Sequence, residues 1–396
     1  MLLVLIPILL LLIVFAYSYV WTDMAIILLL AKKIPWISNI NLYKDLFGQY
    51  KSVFATLFII IVAIFAVLQI VLLLSKKKFE IKRFIFIAIP VFIAALSYPF
   101  LSNDIFSYLF AGRMVVIHGL NPYTVIPETL RNVDFWIWFT QWTHRTYAYG
   151  PVSLLYSIIP ILAAFGKVFP IAFYGMKLIN AALFLLAGRL LLKNSDRKSE
   201  VLAFWFFNPL LIFELLINSH NDVVMISIFV ISYVLIKQGK KIWSWVLFTA
   251  SVLVKYVSIV FLPVFILNEK YRALFFKIIT LIILAYLGVK FPTIQAWYYT
   301  WIYMAVPFAK FSKFSLVSIF IFQIFLILVK YYPFILTGSW NQIPMQPYVE
   351  VLAITLPILI IVIEYKNIMK FLTELKVSKV PVGERLKEVL SEPSDK

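Results

Sequence analysis

A row of five polar residues, 218–222, lies between two apolar runs and reads NSHND. One interpretation is a tight hairpin turn in which the asparagine and aspartate residues cap the second helix. A simple turn does not require His220, however, and Glu214 lies one helical turn earlier among apolar residues. Because ionisable residues inside membrane segments are costly, this cluster is a candidate functional site.

Asp104 is a second candidate. It follows Ser102 and Asn103 at the end of an apolar run and begins a segment with helical character. It could cap that helix, because an aspartate at a helix start satisfies free backbone N–H groups. It could instead accept a proton during catalysis, since Arg113 lies about half a helical turn away from its face and supplies no local cation.

Lys255 lies in the middle of the apolar stretch 247–265, with at least eight uncharged residues on each side. Such a lysine could extend its ammonium group to the membrane interface. If it is buried instead, it requires an anion, which could be a protein carboxylate or a ligand phosphate.

The remaining motifs exclude several kinds of chemistry. The chain has no cysteine and only three histidines, none of which is paired at i, i+4 with an acidic neighbour, so it lacks a thiolate site and a zincin helix. It also lacks both glycine-rich nucleotide-binding loops. The segments HGLNPY (118–123) and YGP (149–151) are typical of chain turns and helix starts. Nucleotide is therefore not expected as energy source or donor.

Long apolar runs carry these residues. Of 396 residues, 63% are hydrophobic and 14% are charged, and the apolar runs are long enough for helices that cross a membrane. The sequence predicts an all-α polytopic membrane protein with about ten to twelve transmembrane helices. The predicted spans are 2–20, 53–75, 84–101, 171–192, 201–217, 222–236, 242–267, 273–289, 312–332 and 348–364. We expect a membrane domain over 1–364 and a charged cytoplasmic tail over 365–396.

Charge patterning indicates the orientation. Lysine and arginine outnumber acidic residues 36 to 18, and the basic residues lie in short loops at 75–83, 193–200 and 237–241. This pattern favours cytoplasmic basic loops rather than a nucleic-acid-binding surface. Asp104 and the 218–222 turn should then lie on the outer face of the cell membrane.

The segment 102–150 is the largest polar insertion. Its aromatic part, 135–150, favours the membrane–water boundary, so interfacial helices are expected. Because this segment is expected outside and the basic loop at 193–200 is expected inside, an odd number of membrane crossings must separate them. Two apolar runs lie between them, however. We therefore expect 152–165 to be a re-entrant or juxtamembrane helix.

Four segments together resemble the glycosyltransferase C superfamily, and within it the polyprenol-phosphate-mannose-dependent mannosyltransferases of bacteria and archaea. In chain order they are SNDIFSYLFAGRMVVIHGLNPY, YGP, NPLLIFELLINSHND and LVKYVSIVFLP, which span roughly 102–265. The resemblance implies an enzyme that transfers a sugar, most simply mannose, from a polyprenyl-phosphate donor to a glycan or glycolipid acceptor.

The resemblance also implies residue roles. The family's acidic base maps onto Asp104, with single displacement and inversion expected. Ser102, Asn103 and Ile105 surround it, which is not the pattern of a D-x-D metal site. No cofactor is therefore expected, and a divalent metal is the weakly supported alternative. The residues expected to bind the sugar and the lipid phosphate are Arg113, Tyr149, His220, Asn221, Asp222 and Lys255, with Glu214, Asn121 and Tyr123 as supporting residues.

These roles require Asp104, the 218–222 turn and Lys255 to surround one cavity, flanked by the aromatic segment 135–149. A secondary transporter is the main alternative, and a scaffolding membrane protein is a third. A transporter is expected to carry an inverted repeat and ionisable residues near the midplane.

Overall fold

The computed structural model describes residues 2–20, 40–75, 84–290 and 295–337, together with parts of 351–373. The predicted tail, 365–396, lies almost entirely outside these residues. So do residues 76–83 of the first basic loop, and the span predicted at 348–364 is described only in part. In the described ranges the protein is all α-helical and contains no β-strand.

Thirteen helices are described between residues 2 and 337. They are α1 (Leu2–Val20), α2 (Ile40–Leu74), α3 (Ile85–Leu96), α4 (Asp104–Val116), α5 (Pro151–Ala163), α6 (Phe169–Lys193), α7 (Lys198–Phe206), α8 (Pro209–Ile217), α9 (Asp222–Lys237), α10 (Lys241–Val254), α11 (Tyr256–Ile266), α12 (Glu269–Val289) and α13 (Lys313–Thr337). Helices α7 and α8 contain π-helical turns, and α11 begins as a 3-10 helix. Separate 3-10 helices occupy Pro127–Leu130, Phe135–Phe139 and Ala296–Met304.

By length and composition, four helices of the described chain could cross a membrane. They are α6, α12, α13 and the part of α2 from Lys51 to Leu74, and a fifth span is possible if α7 and α8 form one broken span. Other predicted runs form shorter apolar helices, among them α3, α10 and α11. The protein is therefore a polytopic α-helical membrane protein. The total of ten to twelve crossings stays a prediction.

Two predicted spans differ from the structure for local reasons. The run 84–101 gives a helix of 12 residues, because the chain becomes extended at Ser97 ahead of Pro99. The run 242–267 is not one helix. It is interrupted at Lys255, whose backbone is extended (φ −143°, ψ 127°), so that α10 ends there and α11 begins.

The run 201–217 is also broken. Helices α7 and α8 meet at a 40° bend. Asn208 caps α8 by accepting hydrogen bonds from the N–H groups of Leu210 and Leu211, and Pro209 occupies the first helical turn. Buried Asn208 therefore ends one helix and starts the next.

Several helix ends meet around the 218–222 turn. The Leu101 N–H donates to the Asn218 side chain at 3.3 Å. The Tyr98 N–H donates to the Ser18 hydroxyl at 2.9 Å, which ties the end of α1 to the residues after α3. We call this side of the molecule the cavity end.

The basic loops lie together at the other ends of these helices. The Gln238 side chain, after α9, donates a hydrogen bond to the side chain of Asn194, after α6, at 3.2 Å. The predictions that 193–200 and 237–241 lie on one side, and that the 218–222 turn lies on the other, therefore agree with the packing.

Helices α4 and α5 pack side by side. Each has 13 residues, about 20 Å, which is short of the roughly 30 Å of a hydrocarbon core. A Cβ atom on Gly112 of α4 would lie 2.4 Å from the Ser157 carbonyl oxygen of α5, so only glycine permits this approach. Helix α5 is therefore short enough for the predicted re-entrant or juxtamembrane helix, and that placement stays a prediction.

Candidate functional site

A cavity of about 690 Å³ opens at the cavity end. Its walls come from α4, the loop before α5, the break at Lys255 and the 3-10 helix Ala296–Met304. Asp104 and Lys255 both line it, although 150 residues separate them in the chain. Segments far apart in sequence thus form one site.

Asp104 presents a nearly buried carboxylate to this cavity, with 12% of its side chain exposed. Asp104 begins α4, where the Asn103 side chain makes no cap hydrogen bond and the Asp104 N–H donates to the Ser102 hydroxyl at 3.3 Å. One carboxylate oxygen, Oδ1, instead accepts a hydrogen bond from the Trp142 indole N–H at 2.8 Å. In the described chain, no lysine or arginine forms an ion pair with Asp104. The capping interpretation therefore does not describe this carboxylate.

Behind Asp104, His220 lies between two carboxylates. Its Nδ1 atom is 3.5 Å from Asp104 Oδ2, and its Nε2 atom is 3.4 Å from Glu214 Oε2. The ring is fully buried and stacks on Trp297, with 4.5 Å between ring centroids. His220 therefore contacts the base candidate without lining the cavity itself.

Glu214 is also fully buried. It accepts hydrogen bonds from the Tyr331 hydroxyl and, at 3.1 Å, from the Asn218 amide. The Glu214 carboxylate is thus held by α13 and by the turn that follows α8. The sequence named Glu214 as a supporting residue, and the structure places it next to His220.

Asp222 provides the anion for Lys255. The Lys255 ammonium donates to Asp222 Oδ2 at 2.6 Å, and the Trp301 indole N–H donates to Oδ1 at 2.7 Å. Asp222 is fully buried, whereas 12% of the Lys255 side chain is exposed at the cavity. The sequence allowed either a protein carboxylate or a ligand phosphate as the anion for Lys255. In the structure that anion is the carboxylate of Asp222.

Aromatic residues of the 135–149 segment form much of the wall. Arg145 stacks over Trp142, with its guanidinium 4.8 Å from the ring centroid. Lys255 lies 5.0 Å from the centroid of Tyr149. Burial raises the pKa of Tyr149 well above its ordinary value, and the nearby charge of Asp104 adds to this, so its hydroxyl group stays protonated.

The loop before α5 is fixed by short backbone contacts. Burial raises the pKa of Tyr147 to about 12, and its hydroxyl shares a hydrogen bond with Ser153 at 2.7 Å. The Gly150 N–H donates to the Val254 carbonyl at 3.1 Å. A Cβ atom on Gly150 would lie 2.0 Å from the Leu253 carbonyl oxygen, so the YGP motif permits close contact with the residues before Lys255.

The structure does not bring every predicted site residue into the cavity. Arg113 points to the far side of α4, where it donates to Asp134 at 2.5 Å and stacks on Trp136. His118 shares the same Asp134 oxygen at 2.6 Å. The structure therefore does not place Arg113 where it could contact a lipid phosphate in the cavity. Arg113 instead holds the loop that contains Asp134.

Three other predicted residues have supporting contacts. The Asn121 side chain accepts from the Tyr123 N–H at 3.0 Å, forming a local turn at the surface. Asn221 is buried and donates to the Ser153 hydroxyl at 2.9 Å, which ties the polar turn to α5. None of these three side chains lines the cavity.

Sequence reasoning missed Lys177. This residue of α6 is fully buried and donates to the Ile217 carbonyl at 2.6 Å, the Leu216 carbonyl at 3.2 Å and the Ser219 hydroxyl at 3.1 Å. Ser219 has a left-handed backbone (φ 57°), which an L-residue adopts only when its surroundings hold it. A lysine inside the apolar run 171–192 was the available signal.

Sequence reasoning also missed Trp297 and Trp301, which contact His220 and Asp222. The aromatic-rich stretch AWYYTWIYM (296–304) could have indicated them, because it resembles the aromatic stretch that was noticed at 135–150. Together the site offers a carboxylate at the cavity wall, a neighbouring ammonium group and indole donors. It can accept a proton and bind a polar, negatively charged ligand.

Comparisons with known proteins agree with this chemistry. Residues 24–269 match the family model described as "Alpha-(1->6)-mannopyranosyltransferase, N-terminal domain". Alpha-(1->6)-mannopyranosyltransferase A of Mycobacterium tuberculosis is 26% identical over 171 residues, which is 42% of this chain and 33% of that protein. The aligned part thus spans about a third of that relative's length. No solved structure matches significantly.

Proposed function

The chain belongs to the alpha-(1->6)-mannopyranosyltransferase N-terminal domain family, and from this we propose that it transfers mannose from a polyprenyl-phosphate donor to a hydroxyl group of a glycan or glycolipid acceptor. The observation that carries the proposal is Asp104, a carboxylate at the wall of a cavity of about 690 Å³ without an ion-pairing lysine or arginine in the described chain. Membership of this family supports a transferase rather than a transporter.

Asp104 acts as the general base. The acceptor hydroxyl attacks the anomeric carbon of mannose while Asp104 takes its proton, and the bond from that carbon to the phosphate oxygen breaks. One base and one displacement give inversion. An alpha product, as the family description names, then requires a beta-linked donor. The Trp142 N–H at 2.8 Å orients the carboxylate.

The departing phosphate needs positive charge and hydrogen-bond donors. Lys255 faces the cavity and is the candidate that the family resemblance indicates. Asp222 offsets its charge and fixes its position, so Lys255 contributes mainly a directed N–H donor to the phosphate. The protonated Tyr149 hydroxyl lies in the same wall. Since Ser102, Asn103 and Ile105 flank Asp104, no second acidic residue completes a metal motif, and we propose a metal-independent transfer.

We also propose that the cavity faces the outside of the cell membrane. The short basic loops at 193–200 and 237–241 lie at the opposite ends of the helices, and such loops are retained on the cytoplasmic side. A lipid-linked donor delivered to the outer leaflet would reach the cavity from the membrane.

Replacing Asp104 by asparagine tests the proposal. Asparagine keeps the shape and can still accept the Trp142 hydrogen bond but cannot take the proton. We expect turnover of a polyprenyl-phosphate-mannose donor to fall at least about 100-fold, with donor binding retained. Product formation by purified protein in detergent is the measurement.

Asp196→Asn is the matched control, because Asp196 is exposed in the loop after α6. It should leave turnover unchanged. Near-normal turnover by Asp104→Asn would end the assignment of Asp104 as base. Facilitated passage of a solute through liposomes without any lipid-linked sugar would instead support the transporter alternative.

A further inference from the structure

The contacts of His220 indicate that it takes part in proton transfer together with Asp104. We propose that Glu214 and His220 are positioning residues for proton transfer: Glu214 fixes the tautomer of His220, and His220 receives from Asp104 the proton that the acceptor loses. This inference rests on the proposed function, in which Asp104 is the base.

His220 is held rigidly between its neighbours. It is fully buried, stacks on Trp297 and has one carboxylate near each ring nitrogen, at 3.5 Å and 3.4 Å. Neither nitrogen makes a hydrogen bond within normal geometry. A buried imidazole with a carboxylate facing each ring nitrogen is placed to exchange a proton with either of them.

Glu214 determines which nitrogen carries the proton. Its two oxygens accept from the Tyr331 hydroxyl and the Asn218 amide, which fix the position of the carboxylate beside the ring. The proposed transfer places the ring hydrogen on Nε2, which faces Glu214 Oε2 at 3.4 Å, because Nδ1 must carry a lone pair to receive the proton from Asp104. The lone pair of Nδ1 then faces Asp104 Oδ2.

The proton transfer balances without any further reactant. The acceptor O–H proton moves to Asp104 Oδ2, and the electrons of that bond form the new bond to the anomeric carbon. The phosphate departs with the electrons of the broken bond. The proton then moves from Asp104 to His220 Nδ1, which gives an imidazolium between two carboxylates, and opposite charges at that distance stabilise it.

Charged and titratable groups around His220 come from several elements. Asp104 belongs to α4, Glu214 to α8 and Tyr331 to α13. Lys177 of α6 contacts the turn at Ser219, and the Asp222–Lys255 pair lies two residues further on. Of the acidic side chains in the described chain, Asp104 and Glu214 are the two that come within 4 Å of the ring nitrogens.

Two substitutions test the proposal through the pH profile of kcat. Transfer requires Asp104 to be ionised and Nδ1 to be free, so the acidic limb of that profile should report proton uptake by the Asp104–His220 pair. Glu214→Gln removes the charge that stabilises the imidazolium. We expect kcat to fall about 10- to 100-fold, donor KM to stay within about threefold, and the acidic limb to move to lower pH.

Tyr331→Phe should move the acidic limb in the opposite direction. It removes a hydrogen bond that stabilises the ionised Glu214, which makes Glu214 a stronger acceptor and strengthens the imidazolium. Glu200→Gln is the matched control, since Glu200 pairs with Arg197 at the start of α7, away from the site, and it should leave the profile unchanged.

The outcomes separate this inference from the proposed function. If Glu214→Gln and Tyr331→Phe both leave the acidic limb in place while Asp104→Asn is inactive, the proton transfer to His220 is wrong and the base assignment stands. If Asp104→Asn is active, the proposed function fails and this inference with it. Opposite shifts by the two variants, with melting temperatures close to that of the parent protein, would establish the proposal.

Discussion

Asp104 and Asp222 lie near the same cavity in contrasting environments. Asp222 is neutralised by Lys255 at 2.6 Å and holds a Trp301 hydrogen bond, whereas Asp104 has a Trp142 hydrogen bond and no lysine or arginine partner in the described residues. The Lys255 ammonium group balances the charge of Asp222, whereas the Asp104 carboxylate remains available to accept a proton. This contrast supports the base role proposed for Asp104 and indicates a structural role for Asp222.

Lys255→Met should destabilise the protein as well as impair transfer. From the sequence we would expect a mild effect on folding if the anion were a ligand phosphate, but the anion is the fully buried Asp222. Removing one partner of such a pair costs about 3 to 5 kcal/mol because a buried charge is left uncompensated. The measurement is thermal unfolding of the ligand-free protein in detergent.

The double variant Lys255→Met/Asp222→Asn provides the internal check. It removes both charges, so it should regain most of the stability while transfer stays impaired. Lys167→Met, at an exposed position between α5 and α6, should have no effect on either. A stable single variant would show that the ion pair contributes little to the fold.

At the scale of elements, the site depends on how closely α4 and α5 approach. Gly112→Ala would place a Cβ atom 2.4 Å from the Ser157 carbonyl oxygen, and backbone atoms on both sides leave no flexible side chain to move. We expect a loss of about 1 to 3 kcal/mol in unfolding free energy and reduced transfer, because α4 carries Asp104. Thermal melting and product formation measure the two effects.

Gly175→Ala in α6 is the matched comparison. Its added Cβ would lie 3.6 Å from the Pro160 side chain, which is ordinary van der Waals contact. Alanine is the better helix former, so this variant should be neutral or slightly stabilising. Equal losses from Gly112→Ala and Gly175→Ala would contradict the packing described between α4 and α5.

The loop between α4 and α5 should loosen in acid. Burial by itself would raise the pKa of Asp134, but hydrogen bonds from His118 and Arg113 and from the Trp136 N–H hold that pKa below its ordinary value. A lowered folded-state pKa stabilises the loop fully above about pH 4, and this contribution is lost as the pH falls through the folded value. The exposed Glu128–Arg131 pair contributes little.

Hydrogen exchange of the 117–139 amides measures this loosening. Above about pH 4, the protection of these amides against exchange should be high and should not change with pH. Below about pH 4, protection should fall because the loop opens more often. Asp134→Asn should open the loop already at neutral pH. If the two proteins show the same protection, Asp134 does not anchor the loop.

For the whole molecule, orientation can be tested directly because the chain has no cysteine. Val133, in the loop after α4, is 71% exposed, and Asp196 lies exposed in the basic loop. With the cavity outside, Val133→Cys should react with a membrane-impermeant maleimide on intact cells, and Asp196→Cys should react only after permeabilisation. The reverse labelling would place the cavity in the cytoplasm.

Long-range contacts connect these elements into one core. Gln323 of α13 donates to Gln69 of α2 at 2.7 Å, and Gln69 donates to the Ala203 carbonyl of α7 at 3.0 Å. The Tyr331 hydroxyl donates to Glu214 from the same helix α13. Helix α13 therefore supports the site from behind, a role that its apolar sequence does not indicate.

The sequence determined the architecture class and the main site residues. Apolar runs predict helices because the hydrophobic requirement is local, and charged residues inside such runs indicated Asp104, Glu214 and Lys255. The basic loops were likewise predicted to lie together, as the Gln238–Asn194 contact shows. Each of these conclusions depends on residues close together in the chain.

Only the tertiary structure decided which residues become partners. Lys255 pairs with Asp222 rather than Glu214, Arg113 turns to Asp134, and His220 lies between Asp104 and Glu214. These contacts depend on where helices break and how they rotate against one another, as at the extended backbone of Lys255. The hydrophobic pattern of the sequence carries little information about this rotation, because buried helices are apolar on every side.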